Sequence, residues 1–308
     1  INHIDLLKSK SQGISPRNTV LTITYRAGGG LRHNVDSNSI RTVQDLSIEF
    51  RHSPTPEDAL SVRQSISIFN NRPAAGGANA PDIEFLRSLI APSRNAQTRI
   101  VTREDLLARI YTLPSRFGRV FRVGLSENPT SGLSLLVHVI SQDAIGNLTT
   151  SPDTLKENLS RYLNEFRLLS DAIDVVDARV LNYKIKYEVH LDKKVNKQST
   201  LLSINRSLTE ALRIRYFQID QPLIIDDIFN VITNTRGVIS IADLEIIPIS
   251  AAEPGSTGAG FGQGTGDRIY SNESFKTQGS IKNGILRGPV GSIFELRYPD
   301  SDITGYAI

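Results

Sequence analysis

Five histidines, His3, His33, His52, His138 and His190, are the side chains best suited to ligating a metal or acting as a general base. Their spacing argues against both. No two stand four residues apart, so no pair shares a helix face as in a zinc protease motif. His138 sits inside the apolar run Leu133 to Ile140, the pattern of a hydrogen-bonded core histidine, and His190 falls on the polar side of an alternating run. Asp226 and Asp227 are adjacent carboxylates, but they open a helical pattern, where negative charge complements the helix dipole. The chain has no Cys, which removes thiol nucleophiles, disulfides and thiolate zinc sites, and it has no Gly-x-Ser-x-Gly elbow. Its scattered carboxylates select no pair for glycoside hydrolysis. The expectation is a protein that is not an enzyme and has no metal and no cofactor.

Glycines raise a different chemistry. "TITYRAGGG", residues 22 to 30, reads as a strand running into a glycine loop, as phosphate-binding sites often begin. A P-loop would follow with Lys and Ser or Thr on a new helix, whereas "LRHNVDSNS" has no Lys and no helical period. The dinucleotide fingerprint counted from Gly30 would need glycine where His33 stands. In "GAGFGQGTGDR", residues 258 to 268, the same test needs glycine at Thr265 or Asp267. These glycines are expected to permit positive φ or close backbone approach.

Charge is uneven. Residues 11 to 122 hold 15 Arg, no Lys and 9 Asp or Glu, a net of +6; residues 123 to 248 hold 13 basic and 16 acidic residues, a net of −3. Arg suits flat, bidentate contacts, so Arg94, Arg99, Arg103 and Arg116 are candidate interface residues beside carboxylates of a partner. A nucleic-acid-binding module using the Arg-rich region 11–122 is the alternative. Net +6 is modest for that role, and the aromatics there follow the apolar phase of strands and helices.

The elements that must position these residues follow from period. Thr19 to Tyr25, Asp45 to Arg51 and Val62 to Phe69 alternate as half-buried antiparallel strands, with one helical turn within Ser53 to Ser61. "NRPAAGGANAP", 71 to 81, is an elbow, followed by helices over Pro81 to Ile90 and Thr102 to Leu113. Thr102 and Asp105 have capping-box spacing. Strands are expected at Gly118 to Leu125 and Leu133 to Ile140. A helix capped at Ser151 should run toward Leu169, and a long strand with one wet face should cover Leu181 to Asp192. Helices at about Ser199 to Phe217 and Ile224 to Asn234, and a strand over Val238 to Ile249, complete the order. No apolar run approaches the roughly 20 residues of a membrane helix.

The fold class is therefore α+β. Its parts are a β-rich domain over 1–72, truncated at its start since the chain opens on Ile1 and holds no Met; a helical elbow with first strands over 73–140; and an α+β domain over 141–250. An extended, glycine-rich C-terminal arm over 251–308 follows, with too little apolar sequence for its own core. Two β-α-β-like halves, around the helices at 151 and 199, suggest a duplicated ferredoxin-like unit.

Gly76 to Leu125 resembles the baseplate J-like family, and within it the wedge proteins of T4-type contractile-tailed phages. The resemblance lies in the order of features: a Gly-rich elbow, a helix ending near "APSR", "R-x-VT-x-x-D" at Arg99 to Asp105, and a Phe117-Gly118 turn into a strand. It continues through "SGLSLLVHVI" and "DVVDARVLNYKIKYEVHL" and covers roughly Pro73 to Pro248. "GSIFELRYPDSDITG", near the end, resembles the family's closing segment. The resemblance implies a structural subunit of a contractile phage tail baseplate, assembled in the host cytoplasm and carried in the virion. It further implies copies of the chain associating as dimers and as the inner wedge ring around the central hub, and contacts with other wedge and hub proteins.

Overall fold

The computed structural model describes residues 20, 22, 28–80, 82, 83, 86, 87, 99–168, 172–251, 261–263, 268–276, 281, 282 and 284–308. The expected strand at Thr19 to Tyr25, most of the expected helix at Pro81 to Ile90, and Arg94 lie outside the described residues.

The chain is an α+β protein built on two sheets. In the first, β1 (Arg122–Asn128) and β2 (Ser131–Gln142) form an antiparallel hairpin in which Gly124 faces His138. The turn-rich "SENPTSG" closes it, as its Asn, Pro and Gly content requires. The short β3 (Leu148–Thr149) returns along the end of β2. The chain then crosses through helix α3 (Asp153–Asn164) and adds β4 (Ala172–Asp177) parallel to β2, Ser134 opposite Ala172. Helix α2 (Arg103–Tyr111) and α3 cover this sheet, and Leu106, Ile110, Val137, Val139, Leu159 and Leu163 are buried together. That is the helical spacing read from sequence meeting the two-residue spacing of β2. Helix α3 stops earlier than its apolar pattern, because Phe166 turns back to donate its backbone N–H to Leu163.

The second sheet is organised by β5 (Arg179–Leu191), thirteen residues long and separated from β4 only by Ala178. Leu181, Tyr183, Ile185, Tyr187, Val189 and Leu191 are all buried, while Lys184, Lys186 and Glu188 stay partly wet and His190 is exposed, as the alternation predicts. The exception is Asn182, which is fully buried. Helices α4 (Lys197–Ala211) and α5 (Ile225–Thr233) pack on β5, and β7 (Val238–Ile249) returns antiparallel to it. Between the helices, β6 (Leu223–Ile224) opens a small three-stranded sheet. Asn196 caps α4 by accepting from the N–H groups of Gln198 and Ser199. The two halves are not repeats: β2 reaches a parallel partner through one helix, whereas β5 reaches an antiparallel partner through two.

The C-terminal region is more than an arm. A short β8 (Phe261–Gln263) pairs with β9 (Ile269–Ser271), and β10 (Ile281–Lys282) pairs with β11 (Ile285–Leu286), which pairs with β6. Strand β12 (Ser292–Glu295) then lies parallel to β5 with Glu295 opposite Asn182, the one-turn helix α6 (Pro299–Asp302) steps out, and β13 (Ile303–Ala307) resumes with Ile303 opposite Ile185. Since β7 occupies the other edge of β5, the two tail strands share one edge end to end. Leu286, Ile293, Phe294 and Ile303 are buried in the same core as Tyr183 and Ile185. The described tail residues from Ile285 onward are therefore part of the β5 sheet and its core rather than a separate extended arm.

The opposite correction applies near the start. Among the described residues before β1 there is no strand. Residues 45–50 form no strand and pair with no described residue, and the expected strand at Val62 to Phe69 is displaced by helix α1 (Pro56–Ser65). Thr55 accepts from the Asp58 N–H and Pro56 takes the first helical position, so the local start signals in "SPTPED" outrank the later alternation. No residue of α1 is buried.

Candidate functional site

Of the arginines singled out by sequence, the described ones, Arg99, Arg103 and Arg116, flank α2. Its first turn is closed by a capping box: Asp105 N–H donates to Thr102 Oγ1 at 3.1 Å, and Thr102 N–H donates to Asp105 Oδ2 at 3.0 Å. The Thr102 N–H, joined by the Val101 N–H, holds the Asp105 carboxyl below the usual range. With Leu106, Ala108 and Ile110 buried, Arg99 and Arg103 lie exposed at the start of the helix and Arg116 exposed beyond its end. Arg103 pairs with Glu127 of β1 at 3.1 Å, both largely solvated. The guanidinium of Arg116 lies 4.5 Å over the Phe117 ring. Arg119 donates to the Asn79 carbonyl at 3.2 Å, tying the elbow to this unit. The described members of the set therefore flank one helix rather than converge on a point.

A second concavity lies elsewhere. A groove of about 720 Å³ is lined by Ser126, His138, Asp177, Arg179 and Glu273, with Val290 on its rim. Ser126 Oγ and His138 Nε2 are 2.7 Å apart, neighbours on one face of the β1–β2 hairpin. His138 is only 8% exposed, and burial pushes its pKa down, with Asp220 opposing and Arg179 reinforcing the shift. Its Nδ1 edge abuts Gly291: a Cβ on that residue would come within 2.4 Å of the ring. Gly291 also has φ +75, so glycine is required there twice over. Its N–H donates to Asp220 at 2.6 Å. Asp220 thus accepts from the backbone, and among the described residues no carboxylate accepts from His138 Nδ1 to fix a catalytic tautomer. The pair does what the sequence expected of His138, a hydrogen bond inside a buried strand.

Sequence reasoning missed a buried ionic cluster where the tail meets the first unit. Glu295 is 3% exposed and Arg297 is 9% exposed. Glu295 Oε1 accepts from the Leu148 N–H at 2.6 Å; Oε2 accepts from Asn182 Nδ2 at 2.9 Å and from Arg297 at 3.1 Å. Arg297 also donates to the Leu148 carbonyl at 2.8 Å and lies 4.8 Å over Phe261. Asn182 Oδ1 accepts from the Ser271 N–H at 2.7 Å. Burial raises the Glu295 pKa, opposed by Arg297 and by the donors on its two oxygens. Glu295 in turn raises Arg297 against its own burial. The cluster joins β3, β5, β9 and β12. Its only sequence signals are Asn182 in an otherwise clean alternation and the charges in "SIFELR".

Gly30, the last glycine of "TITYRAGGG", has φ +61 and opens a turn, Gly30–His33, whose Leu31 N–H donates to Asn79. Gly30 serves backbone geometry there, as expected, whereas Gly29, with φ −82, does not need glycine for its backbone. No group of His, Asp and Glu among the described residues is arranged to hold a metal ion, and no described helix is long and apolar enough to cross a membrane.

No protein-family description matches the chain, and no curated protein matches it. Among solved structures, the cryo-EM structure of the anti-feeding prophage (AFP) baseplate, 6-fold symmetrised, contains a chain that aligns at 12% identity with a TM-score of 0.40. The alignment covers 59% of this chain and 41% of that one, so the present chain spans less than half the length of its neighbour. At that score the likeness carries no argument.

Proposed function

We propose that the chain is a structural subunit of a phage tail baseplate, without catalytic activity. More finely, it is a component of the inner wedge ring of a contractile tail, held to further copies of itself and to other wedge and hub proteins. The observation that carries the reading joins sequence to fold. "DVVDARVLNYKIKYEVHL" and "GSIFELRYPDSDITG" resemble wedge proteins separately and stand about a hundred residues apart in sequence. The first is the end of β4 and all of β5, the second holds β12 and most of β13, and both tail strands are hydrogen-bonded to β5 in one sheet. The resemblance thus follows one structural unit rather than scattered fragments. An absence of chemistry adds nothing to this; the Ser126–His138 pair simply has a sufficient structural reason.

The test is localisation. Gold-labelled antibody raised against the chain should decorate the distal end of phage tails, at the baseplate. Labelling of capsids, or of no particle, would sink the reading. The nucleic-acid alternative predicts DNA binding whose logarithm falls linearly with the logarithm of salt concentration. The baseplate reading expects none above the background of a weakly basic protein.

A further inference from the structure

Residues 45–51, "DLSIEFR", carry a strand pattern that no described strand of the chain uses. Residues 45–50 form neither helix nor strand, and no backbone partner pairs with them among the described residues. The alternation persists in their exposure: Leu46 and Ile48 are half-buried, Asp45, Ser47 and Glu49 are exposed, and Phe50, on the apolar side, remains 39% exposed. A run with one apolar face and no backbone partner among the described residues becomes a template for strand addition once it is drawn out as a strand.

From the order of charges in this run we infer that it pairs, antiparallel and about a two-fold axis at Ile48, with the same run of a second copy of this chain. In that register Leu46 faces the partner's Phe50, Ile48 faces the partner's Ile48, and Asp45 faces the partner's Arg51. Apolar meets apolar on one face and opposite charges meet on the other, twice over by symmetry. Neighbouring registers are worse. Sliding by two residues one way sets Asp45 against Glu49, and the other way sets Glu49 against Glu49. An in-register parallel pair sets Asp45, Glu49 and Arg51 each against its own copy. Like charges directly opposed disfavour all three. The run is self-complementary in one arrangement, which is what an isologous contact needs. A two-stranded ribbon alone is marginal, so the association should be weak, roughly micromolar or weaker. The inference concerns this segment and stands or falls apart from the baseplate reading.

The chain lacks Cys, so Ile48→Cys supplies a single thiol per copy, placed on the proposed axis. Cross-strand Cβ atoms there are about 4.5–5.5 Å apart, close enough for a disulfide after small adjustment. Under mild oxidation at tens of micromolar, by order of magnitude above the expected threshold, Ile48→Cys should give covalent dimer. Ile145→Cys, at a site 82% exposed in the β2–β3 turn, should lag well behind. Sedimentation of the otherwise native chain should show Asp45→Arg or Arg51→Asp weakening self-association about tenfold, since each puts like charges at both symmetric contacts. The Asp45→Arg/Arg51→Asp double variant should restore it. Equal cross-linking rates at positions 48 and 145, or a double variant no better than the singles, would overturn the proposal.

Discussion

Two excursions of the chain leave and rejoin the folded body in different ways. Between Asn38 and Asn70 the chain runs out and back, closed at its base by Asn38 N–H to the Asn70 carbonyl at 2.7 Å and Ala74 N–H to the Val35 carbonyl at 2.8 Å. It carries one helix with no buried residue, and Ile40, Phe50, Leu60, Ile68 and Phe69 stay exposed. Between Ile285 and Ile308 a shorter stretch places two strands on β5 and buries Ile293, Phe294 and Ile303. The first excursion has the stronger strand pattern, yet the second makes the sheet. An alternating run reports that a segment has two faces; it does not report that an edge is available to receive it. The thirteen-residue β5 offers such an edge to the tail, and nothing among the described residues offers one to residues 45–50.

The comparison breaks most visibly by truncation. Removing residues 291–308 exposes one edge of β5 and the core beneath it, and this loss should exceed the ordinary stability of a domain, about 5–15 kcal/mol. The truncated chain should show no cooperative thermal transition for the β5 sheet. A next, smaller effect comes from the ionic cluster. Glu295→Ala removes the nearer carboxylate and leaves buried Arg297 only Asp143, at 3.9 Å, a loss of about 3 kcal/mol in urea unfolding. Replacing both together, as Glu295→Leu/Arg297→Met, should recover most of that loss, because neither charge is then left alone.

His138 sharpens the comparison through pH, since Gly291, at the head of β12, packs against its ring. Burial lowers the folded-state pKa of His138. The unfolded chain therefore takes up the proton first as pH falls through the ordinary histidine value near 6.5, and stability drops on the acid side of that value. Stability is fully retained above it. Unfolding midpoints at pH 7.5 and 5.5 should differ more for the native chain than for His138→Gln, by on the order of 1 kcal/mol. The smallest effect belongs to the other excursion. Replacing residues 39–69 by a short Gly-Ser turn should change the stability of the body by less than about 1 kcal/mol, because it removes little buried surface. The same replacement should abolish self-association through residues 45–51.

Much of the body was legible in sequence because its elements rest on local signals. Thr102 and Asp105 announce α2, the unbroken alternation from Leu181 announces β5, and the acidic pair Asp226 and Asp227 opens α5. What could not be read depends on residues far apart in the chain. Asn182 is buried because Glu295 and Ser271 bond to it, and those partners lie well over eighty residues away. Composition marked the glycine-rich C-terminal region as loose, yet β12 is a short apolar run delivered to a waiting edge. The arginines were legible as surface residues, but their partners were not: Glu127 for Arg103 and the Phe117 ring for Arg116 are set by how the hairpin and the turn pack on α2.

Amide hydrogen exchange, read by mass spectrometry on the whole chain, tests the central claim most directly. The amides of residues 292–295 and 303–307 should be protected to the same degree as those of 181–189, opening only with the sheet as a whole. In dilute protein, where the proposed pairing is dissociated, residues 40–55 and 66–72 should exchange within the earliest time points. A C-terminal region that exchanges as fast as residues 40–55, while 181–189 remains protected, would show an appended arm and contradict the account.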